Sequence, residues 1–439
     1  MNNSTIKVRH QIFKILIDNE INSIRIDYLL SSDFLVKNFS DSDIRFIHKV
    51  VYGIIRNKTK LDYYSSKFYD GKFKKLLVKY KIILRIGIYQ LFYMDSVPDY
   101  AAVDTTVDLC KKVDPSKRNL VNAIMRKISE NINIKNKDIQ DLSIKFSHPK
   151  WLLRKWQGRW SNSKILELLN NNNQEPKIWF RFNRLKISKK EFYDLLLKNN
   201  IIFTKNDIMD DFFYTSSVQS LLNSDMMKNN LITVQNPSNG LVVKLLNPKE
   251  NQIIFDGCSA PGGKMNYINE LTNGYNEINS YDIDDTRMQI SINYLKSNNI
   301  KNINYYKADL SCDKIKNYEL GLIDVPCTGT GVLSKRVDLR WRRKLEDINE
   351  MRQIQSSIIS NVSKYLKNGG ALVYSTCSIE EEENWEIVDN FLNSNANFKL
   401  DRADKFISSE YVDKNGCLSI FPSSDGLDGV FAARLIKND

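Results

Sequence analysis

Residues 253–264, Ile-Ile-Phe-Asp-Gly-Cys-Ser-Ala-Pro-Gly-Gly-Lys, constrain this chain more than any other stretch. Positions 253–255 are an apolar, β-leaning run that predicts a buried parallel strand. Asp256 and Gly257 end it. Pro261, Gly262 and Gly263 predict a turn almost bare of side chains. From Lys264 the apolar positions Met265, Ile268 and Leu271 recur with helical spacing. A strand, a glycine turn and a helix start direct backbone N–H groups and a helix N-terminus at a ligand. A glycine turn alone is equally compatible with an ordinary strand-to-helix connection. Its spacing fits neither a G-x-G-x-x-G dinucleotide loop nor a G-x-x-x-x-G-K-[ST] phosphate loop. The next strand, 280–283, decides between the two. Asp282 lies nineteen residues after Gly263, where an acidic side chain holds ribose hydroxyls. The ligand therefore carries a nucleoside. Asp309 and Asp324 close two further strands.

The chain has 439 residues, enough for two or three domains, and its hydrophobic fraction of 42% is that of a globular protein. No apolar run reaches membrane-spanning length; the best, 82–93, contains Arg85 and Gln90. The first residues lack a basic segment followed by an apolar core, so a cytoplasmic protein is expected. The formal net charge of +12 points to a polyanionic partner, although a Lys- and Asn-rich composition accounts for part of it. The six cysteines include no C-x-x-C pair, which argues against a zinc site or a disulfide framework. All three histidines precede the glycine turn, so no histidine base is expected in the catalytic half.

Residues 1–135 are expected to be all-helical, with Asp41-Ser42-Asp43 opening a helix that turns Ile44, Ile47, Val51 and Ile54 inward. Between Arg56 and Lys81, nine Lys or Arg face two Asp, interleaved with Tyr63, Tyr64, Phe68, Tyr69, Phe73 and Tyr80. Such a cluster can track phosphates and stack on bases; equally, the aromatics can be core and the lysines a solvated face. A polar linker follows at 136–146. Residues 145–237 predict a small α+β subdomain, with His148 an N-terminal helix residue or a structural hydrogen-bonder, strands at 177–185 and 201–204 and a helix at 189–198. From 238 to 439, strands alternate with helices, the pattern of a parallel, doubly wound sheet.

Two motifs close the fourth and fifth strands: Asp324-Val325-Pro326-Cys327-Thr328-Gly329-Thr330-Gly331, and Ala371-Leu372-Val373-Tyr374-Ser375-Thr376-Cys377-Ser378. Ligands of open α/β sheets bind beyond the carboxyl ends of the strands. If these strands are neighbours, Cys327 and Cys377 project into one crevice. A lone cysteine is usually a small buried hydrophobe; two at strand ends, fifty residues apart, suit covalent catalysis on an electron-poor ring. A thiolate that adds to cytosine C6 makes C5 an enamine carbon able to attack an electrophilic methyl group. A base must then take the C5 proton, and a carboxyl group near N3 assists the addition. Cys377, Cys327 and Asp324 supply three such groups.

On these motifs the chain resembles the RsmB (Fmu/Sun) family of bacterial 16S ribosomal RNA cytosine-C5 methyltransferases. The likeness extends to Pro98-Asp99-Tyr100-Ala101-Ala102-Val103, Asn119-Leu120-Val121-Asn122-Ala123, Ser147-His148-Pro149-Lys150-Trp151 and the stretch 425–435. It implies an α/β fold: a class I (Rossmann-like) methyltransferase domain at 238–439, an all-α NusB-like RNA-binding domain at 1–135 and the small α+β middle subdomain. It implies S-adenosyl-L-methionine as cofactor, bound by Cys258, Ser259, Ala260, Pro261, Gly262, Gly263, Lys264, Asp282, Asp309 and Asp324, with no metal. Cys377 would be the nucleophile, Cys327 would assist product release, and Asp324 would lie between cofactor and base. The expected substrate is one cytosine of the 16S rRNA (cytosine 967 in that family), free or partly assembled, met by a monomer. Ser259, Val325 and Thr328 depart from the family's usual residues. The segment after Gly331 lacks an expected His-Pro pair, but Lys335, Arg336, Arg340, Arg342, Arg343 and Lys344 make it a basic, RNA-facing loop. Three alternatives stay open: a DNA cytosine methyltransferase with Cys327 as nucleophile, an enzyme acting on tRNA or 23S rRNA, and a non-catalytic RNA-binding assembly factor.

Overall fold

A computed structural model describes residues 3–136, 138–423 and 425–438. The chain forms two compact units, one of residues 1–174 with 333–343, the other of 175–332 with 344–439.

The first unit is helical. Its centre is Val78–Tyr93, buried on every side (Tyr80, Ile82, Ile83, Leu84, Ile86, Ile88 and Leu91 among others), as a core helix should be. Around it pack Asn3–Ile21, Asp41–Arg56, Lys58–Lys67, Asp99–Val113 and Arg118–Glu130. Asp41–Arg56 starts at a capping box between Ser40 and Asp43 and buries Ile47, Val50, Val51, Ile54 and Ile55. The aromatic residues interleaved with basic ones belong largely to this core. Tyr64 and Tyr80 are buried, and Tyr63, Phe68, Tyr69 and Phe73 pack partly buried against the same cluster. They are not an exposed stacking platform. Burial of an aromatic ring outweighs its display on so short a helical hairpin.

Helices Lys150–Gln157 and Asn162–Asn173 lie within the first compact unit. One further expectation changes here. Residues 333–343 also belong to this unit, and they are not simply a basic exposed loop. Val337 is fully buried in the helical core. The Asp338 carboxylate accepts from Ile26 N, and Trp341 Nε1 donates to Ile55 O at 2.9 Å. Arg340 is fully buried and donates to Ser147 O, Asn172 O, Leu333 O and Asn173 Oδ1. Burial, with the Arg56 charge nearby, pushes its guanidinium down to about 9. His148 is the structural hydrogen-bonder expected: Nδ1 donates to Phe146 O at 2.7 Å and Nε2 accepts from Asn172 Nδ2. Burial and the Arg340 charge hold its pKa well below the ordinary value, so the ring is neutral.

The second unit contains two sheets. The smaller is antiparallel, in order β2-β3-β1-β4, from β1 (Trp179–Phe182), β2 (Phe203–Lys205), β3 (Phe212–Thr215) and β4 (Ile232–Val234). The larger combines β5 (Ile253–Gly257), β6 (Glu277–Asp282), β7 (Ile303–Lys307), β8 (Tyr318–Asp324), β9 (Leu366–Thr376), β10 (Phe398–Asp401), β11 (Leu418–Ile420) and β12 (Val430–Lys437). Its main order is β10-β12-β9-β8-β5-β6-β7, and β11 pairs with β12. From β9 through β7 all pairings are parallel; β12 and β10 run antiparallel. The sheet is therefore a parallel core with an antiparallel edge, not parallel throughout. Among the described residues, no helix is long and apolar enough to cross a membrane.

Arg340→Ala strips donors from three buried carbonyls and opens a cavity. It should destabilise the chain by about 3 kcal/mol, read from urea unfolding. A loss below roughly 0.5 kcal/mol, the level of an exposed substitution, would contradict the buried role.

Candidate active site

The site lies along the carboxyl ends of five neighbouring parallel strands, where adjacent ends meet in register. Asp324 of β8 faces Ser375 of β9, Gly257 of β5 faces Ile323 of β8 and Tyr281 of β6, and Asp282 of β6 faces Lys307 of β7. The cysteine loops leave β8 and β9 side by side. Cys327 Sγ and Cys377 Sγ lie 3.3 Å apart, both half-buried and neither in a disulfide. Gly331 makes this approach possible. Its N donates to Cys377 O, and an added Cβ would sit 2.4 Å from Gly429 O and 2.8 Å from Cys377 O. Cys327 is held well above an ordinary thiol pKa, first by its hydrogen bond with Cys377, then by burial and by the charges of Cys377, Glu383 and Asp324.

The glycine loop turns between β5 and the helix Gly263–Leu271. Cys258 has φ 55°, a left-handed conformation unusual for a non-glycine residue, and burial raises its thiol pKa. Gly262 has φ 90°; a Cβ there would press on Met265, Ser291 and Tyr305 at 3.1 Å. Asp282 fixes the loop by accepting from Ala260 N and Asp284 N, both at 2.9 Å. Arg287 holds the Ala260 carbonyl from the other side. Gln235 Nε2 donates to Gly263 O, and Gln235 Oε1 accepts from the buried Arg181. Asp309, at the end of the row beyond β7, accepts from Ser311 N and Oγ, and these bonds lower its pKa.

Lys264 and Asp324 join the two halves of the site. Lys264 Nζ and Asp324 Oδ2 pair at 2.5 Å, and Asp324 Oδ1 accepts from Ser375 Oγ at 3.1 Å. Asp256 lies beneath them, 1% exposed, with Oδ2 lacking a hydrogen-bond partner. Burial, opposed by Lys264 and reinforced by the Asp324 and Asp282 charges, pushes its carboxyl up to about 8. The sequence reading missed Asp256 as a functional group, although it directly precedes the loop. It also missed Ser375, Gln235 and Arg287, whose roles depend on partners distant in the chain.

These groups fit S-adenosyl-L-methionine. Two carboxylates, Asp282 and Asp324, against the single cation Lys264 leave a negative field suited to a sulfonium and an ammonium group. The orphaned Asp256 Oδ2 and Ser259 Oγ beside the loop are buried polar atoms of the kind a ligand completes. Among the described residues, no cluster of His, Cys, Asp or Glu has metal-binding geometry.

Fold and site thus define an S-adenosylmethionine-dependent class I methyltransferase. Comparison with known proteins agrees. Residues 243–436 match the family model 16S rRNA methyltransferase RsmB/F, residues 6–130 the NusB family, and residues 148–214 the RsmF/B-like ferredoxin-like domain. A ribosomal RNA small subunit methyltransferase B from Photorhabdus laumondii is 30% identical over 416 residues, 92% of each chain. A probable ribosomal RNA small subunit methyltransferase B from Bacillus subtilis is 26% identical over 98% of each. The crystal structure of PH0851 superposes over the whole of both chains with TM-score 0.82 at 23% identity. That of NSun6 from Pyrococcus horikoshii with SFG covers 66% of this chain and 98% of its own, with TM-score 0.59 at 20% identity. The chain belongs to the ribosomal RNA small subunit methyltransferase B family; it is an S-adenosylmethionine-dependent rRNA methyltransferase.

Asp256 makes the protein's stability pH-dependent. Its folded pKa near 8 lies above the ordinary carboxylate value, so the folded state holds the proton more tightly. Its contribution is complete below about pH 4 and is lost as pH rises toward 8, at a rate on the order of 1 kcal/mol per pH unit. Asp256→Asn should flatten the fall in urea stability between pH 5 and 8. An unchanged slope would mean that Asp256 is ionised throughout.

Proposed function

We propose that this chain methylates C5 of one cytosine in 16S rRNA through a covalent bond between Cys377 and C6. The single observation that carries this reading is the 3.3 Å separation of the Cys327 and Cys377 sulfurs beside the Lys264–Asp324 pair. Two thiols sharing one proton are a nucleophile and an acid in contact.

The proposed cycle starts with Cys327 as the thiol and Cys377 as the thiolate, in contact through one hydrogen bond. Cys377 adds to C6 and its electron pair moves into the ring. Bound S-adenosylmethionine supplies an electrophilic methyl group to C5. Once Cys377 is a thioether, it no longer accepts the Cys327 hydrogen bond or adds its charge, and the Cys327 proton passes to solvent. The Cys327 thiolate then takes the C5 proton, the Cys377–C6 bond breaks, and Cys377 leaves as a thiolate. The pair returns to its starting state, with one proton released per turnover.

In this reading Asp324 holds the ring. Lys264 engages one of its oxygens and Ser375 the other, yet its side chain remains 37% exposed. It can accept from the cytosine N4 amino group beside the thiols. All groups used come from one chain, which suits a monomer working on free or partly assembled small-subunit rRNA in the cytoplasm.

With a 16S rRNA substrate and S-adenosylmethionine, Cys327→Ala should accumulate a covalent protein–RNA complex on denaturing gels. Cys377→Ala should form none and lose at least ~10³-fold in rate, the scale of deleting an activated nucleophile. The opposite pattern would exchange the roles. Bisulfite sequencing of 16S rRNA with and without the gene should reveal one protected cytosine; no difference would remove the cytosine-C5 assignment.

A further inference from the structure

One buried carboxylate near the thiol pair has no place in the chemistry above. Glu383 lies in a run of four glutamates, Glu380–Glu383, and is fully buried. It accepts from four neutral donors. Oε1 receives Thr328 N at 2.8 Å and Gln355 Nε2 at 3.1 Å; Oε2 receives Ser378 Oγ at 2.5 Å and Thr328 Oγ1. Thr328 and Ser378 are the residues immediately after Cys327 and Cys377. The same side chain therefore grips both cysteine loops one residue beyond each sulfur.

The surrounding bonds fix the grip. Gln355, on the helix Glu346–Val362, also donates to Pro326 O, one residue before Cys327. The backbone carbonyl of Glu383 accepts from Tyr374 Oη at 2.6 Å. Asn384 bonds Thr376 Oγ1 and Ser378 O, on either side of Cys377. Each cysteine is thus bracketed by residues tied to Glu383 or its neighbour. A carboxylate offers acceptor sites on two oxygens at once, and no neutral side chain of this length accepts four donors.

We propose that Glu383 is a positioning residue of the methyl-transfer reaction: its carboxylate clamps the Cys327 loop to the Cys377 loop and holds the two sulfurs within reach of one pyrimidine. It touches neither base nor cofactor and exchanges no proton. Its charge has a second effect. It is one of the causes that keep the Cys327 proton in place, so the clamp also favours the protonation state from which the cycle starts.

Three variants separate geometry from charge. Glu383→Gln keeps the length, and the Thr328 and Ser378 hydroxyls can turn to accept from the new amide, but the charge is lost. Glu383→Asp keeps the charge and is one methylene too short to reach both loops. Glu383→Ala loses both. The first readout is alkylation of Cys327 and Cys377 by iodoacetamide across pH 5–10, without RNA, resolved by peptide mass spectrometry. The second is kcat and KM for methyl transfer to 16S rRNA, with S-adenosylmethionine affinity as the control for folding.

In Glu383→Gln the thiol alkylation profile should move to lower pH by about one unit, equal to tenfold in rate on the acid limb, because a neighbouring negative charge has been removed. Glu383→Asp and Glu383→Ala should lose at least ~10-fold in kcat, the scale of misplacing a reacting group, with KM for RNA and cofactor affinity within about twofold. An unmoved profile in a cofactor-binding Glu383→Gln protein, or wild-type kcat in Glu383→Asp, would overturn the proposal. Should Glu383→Ala fail to fold, the other two variants decide. The inference rests on the two-cysteine reading for its consequence in kcat. The RNA-free alkylation profile depends only on Glu383 and the thiols, so failure of the adduct chemistry and failure of the clamp give different results.

Discussion

Parallel pairing of β8 with β9, in the register that sets Asp324 against Ser375, is the constraint from which the catalytic arrangement follows. Neighbouring strands lie about 4.8 Å apart, so two loops leaving adjacent strands in the same direction start within side-chain reach. Cys327 and Cys377 stand three residues beyond Asp324 and one residue beyond Thr376. A one-residue slip would turn every side chain of one strand to the opposite face and separate the sulfurs. The buried residues of β8 and β9, Leu320, Leu322 and Ile323 against Leu372, Val373 and Tyr374, hold that register by apolar packing. Gly331 then allows three backbone segments to meet where no larger residue fits.

The same strand ends concentrate negative charge. Asp256, Asp282 and Asp324 close three adjacent strands, and Lys264 is the cation paired with Asp324. Their mutual repulsion costs stability in the folded protein, and a cationic ligand would relieve it. Burial, reinforced by the Asp324 and Asp282 charges, keeps a proton on Asp256 near neutral pH, while Asp282 is tied down by two backbone N–H groups.

Much of this was legible in the chain because local signals and chemistry coincided. The run 253–264, Asp282 at its distance from Gly263, and the cysteines after two apolar strands all lie where strand, turn and charge patterns agree. The illegible parts share one cause: a long-range partner overrides the local pattern. Arg340 lies in a basic run and reads as solvated, yet the carbonyls of Ser147 and Asn172, both distant in sequence, accept its hydrogen bonds. No local pattern marks Glu383; only the convergence of Thr328, Gln355 and Ser378 does. Tyr64 and Tyr80 looked equally suited to stacking on bases or to a core; only the packing of Val78–Tyr93 decided. The strands Phe212–Thr215 and Ile232–Val234 are too short to show a period, and the antiparallel sense of β12 depends on a pairing that no local pattern carries.

The most direct test of the two-sulfur account is to identify the atom bonded to the base. With 16S rRNA carrying 5-fluorocytidine at the modified position, C5 bears a fluorine that no base can remove as a proton, so the reaction stops at the covalent stage in the unaltered protein. After nuclease and protease digestion, mass spectrometry should find a methylated fluoropyrimidine nucleotide attached to the peptide containing Cys377. Attachment to the Cys327 peptide, or complete methylation without any covalent peptide, would contradict the account.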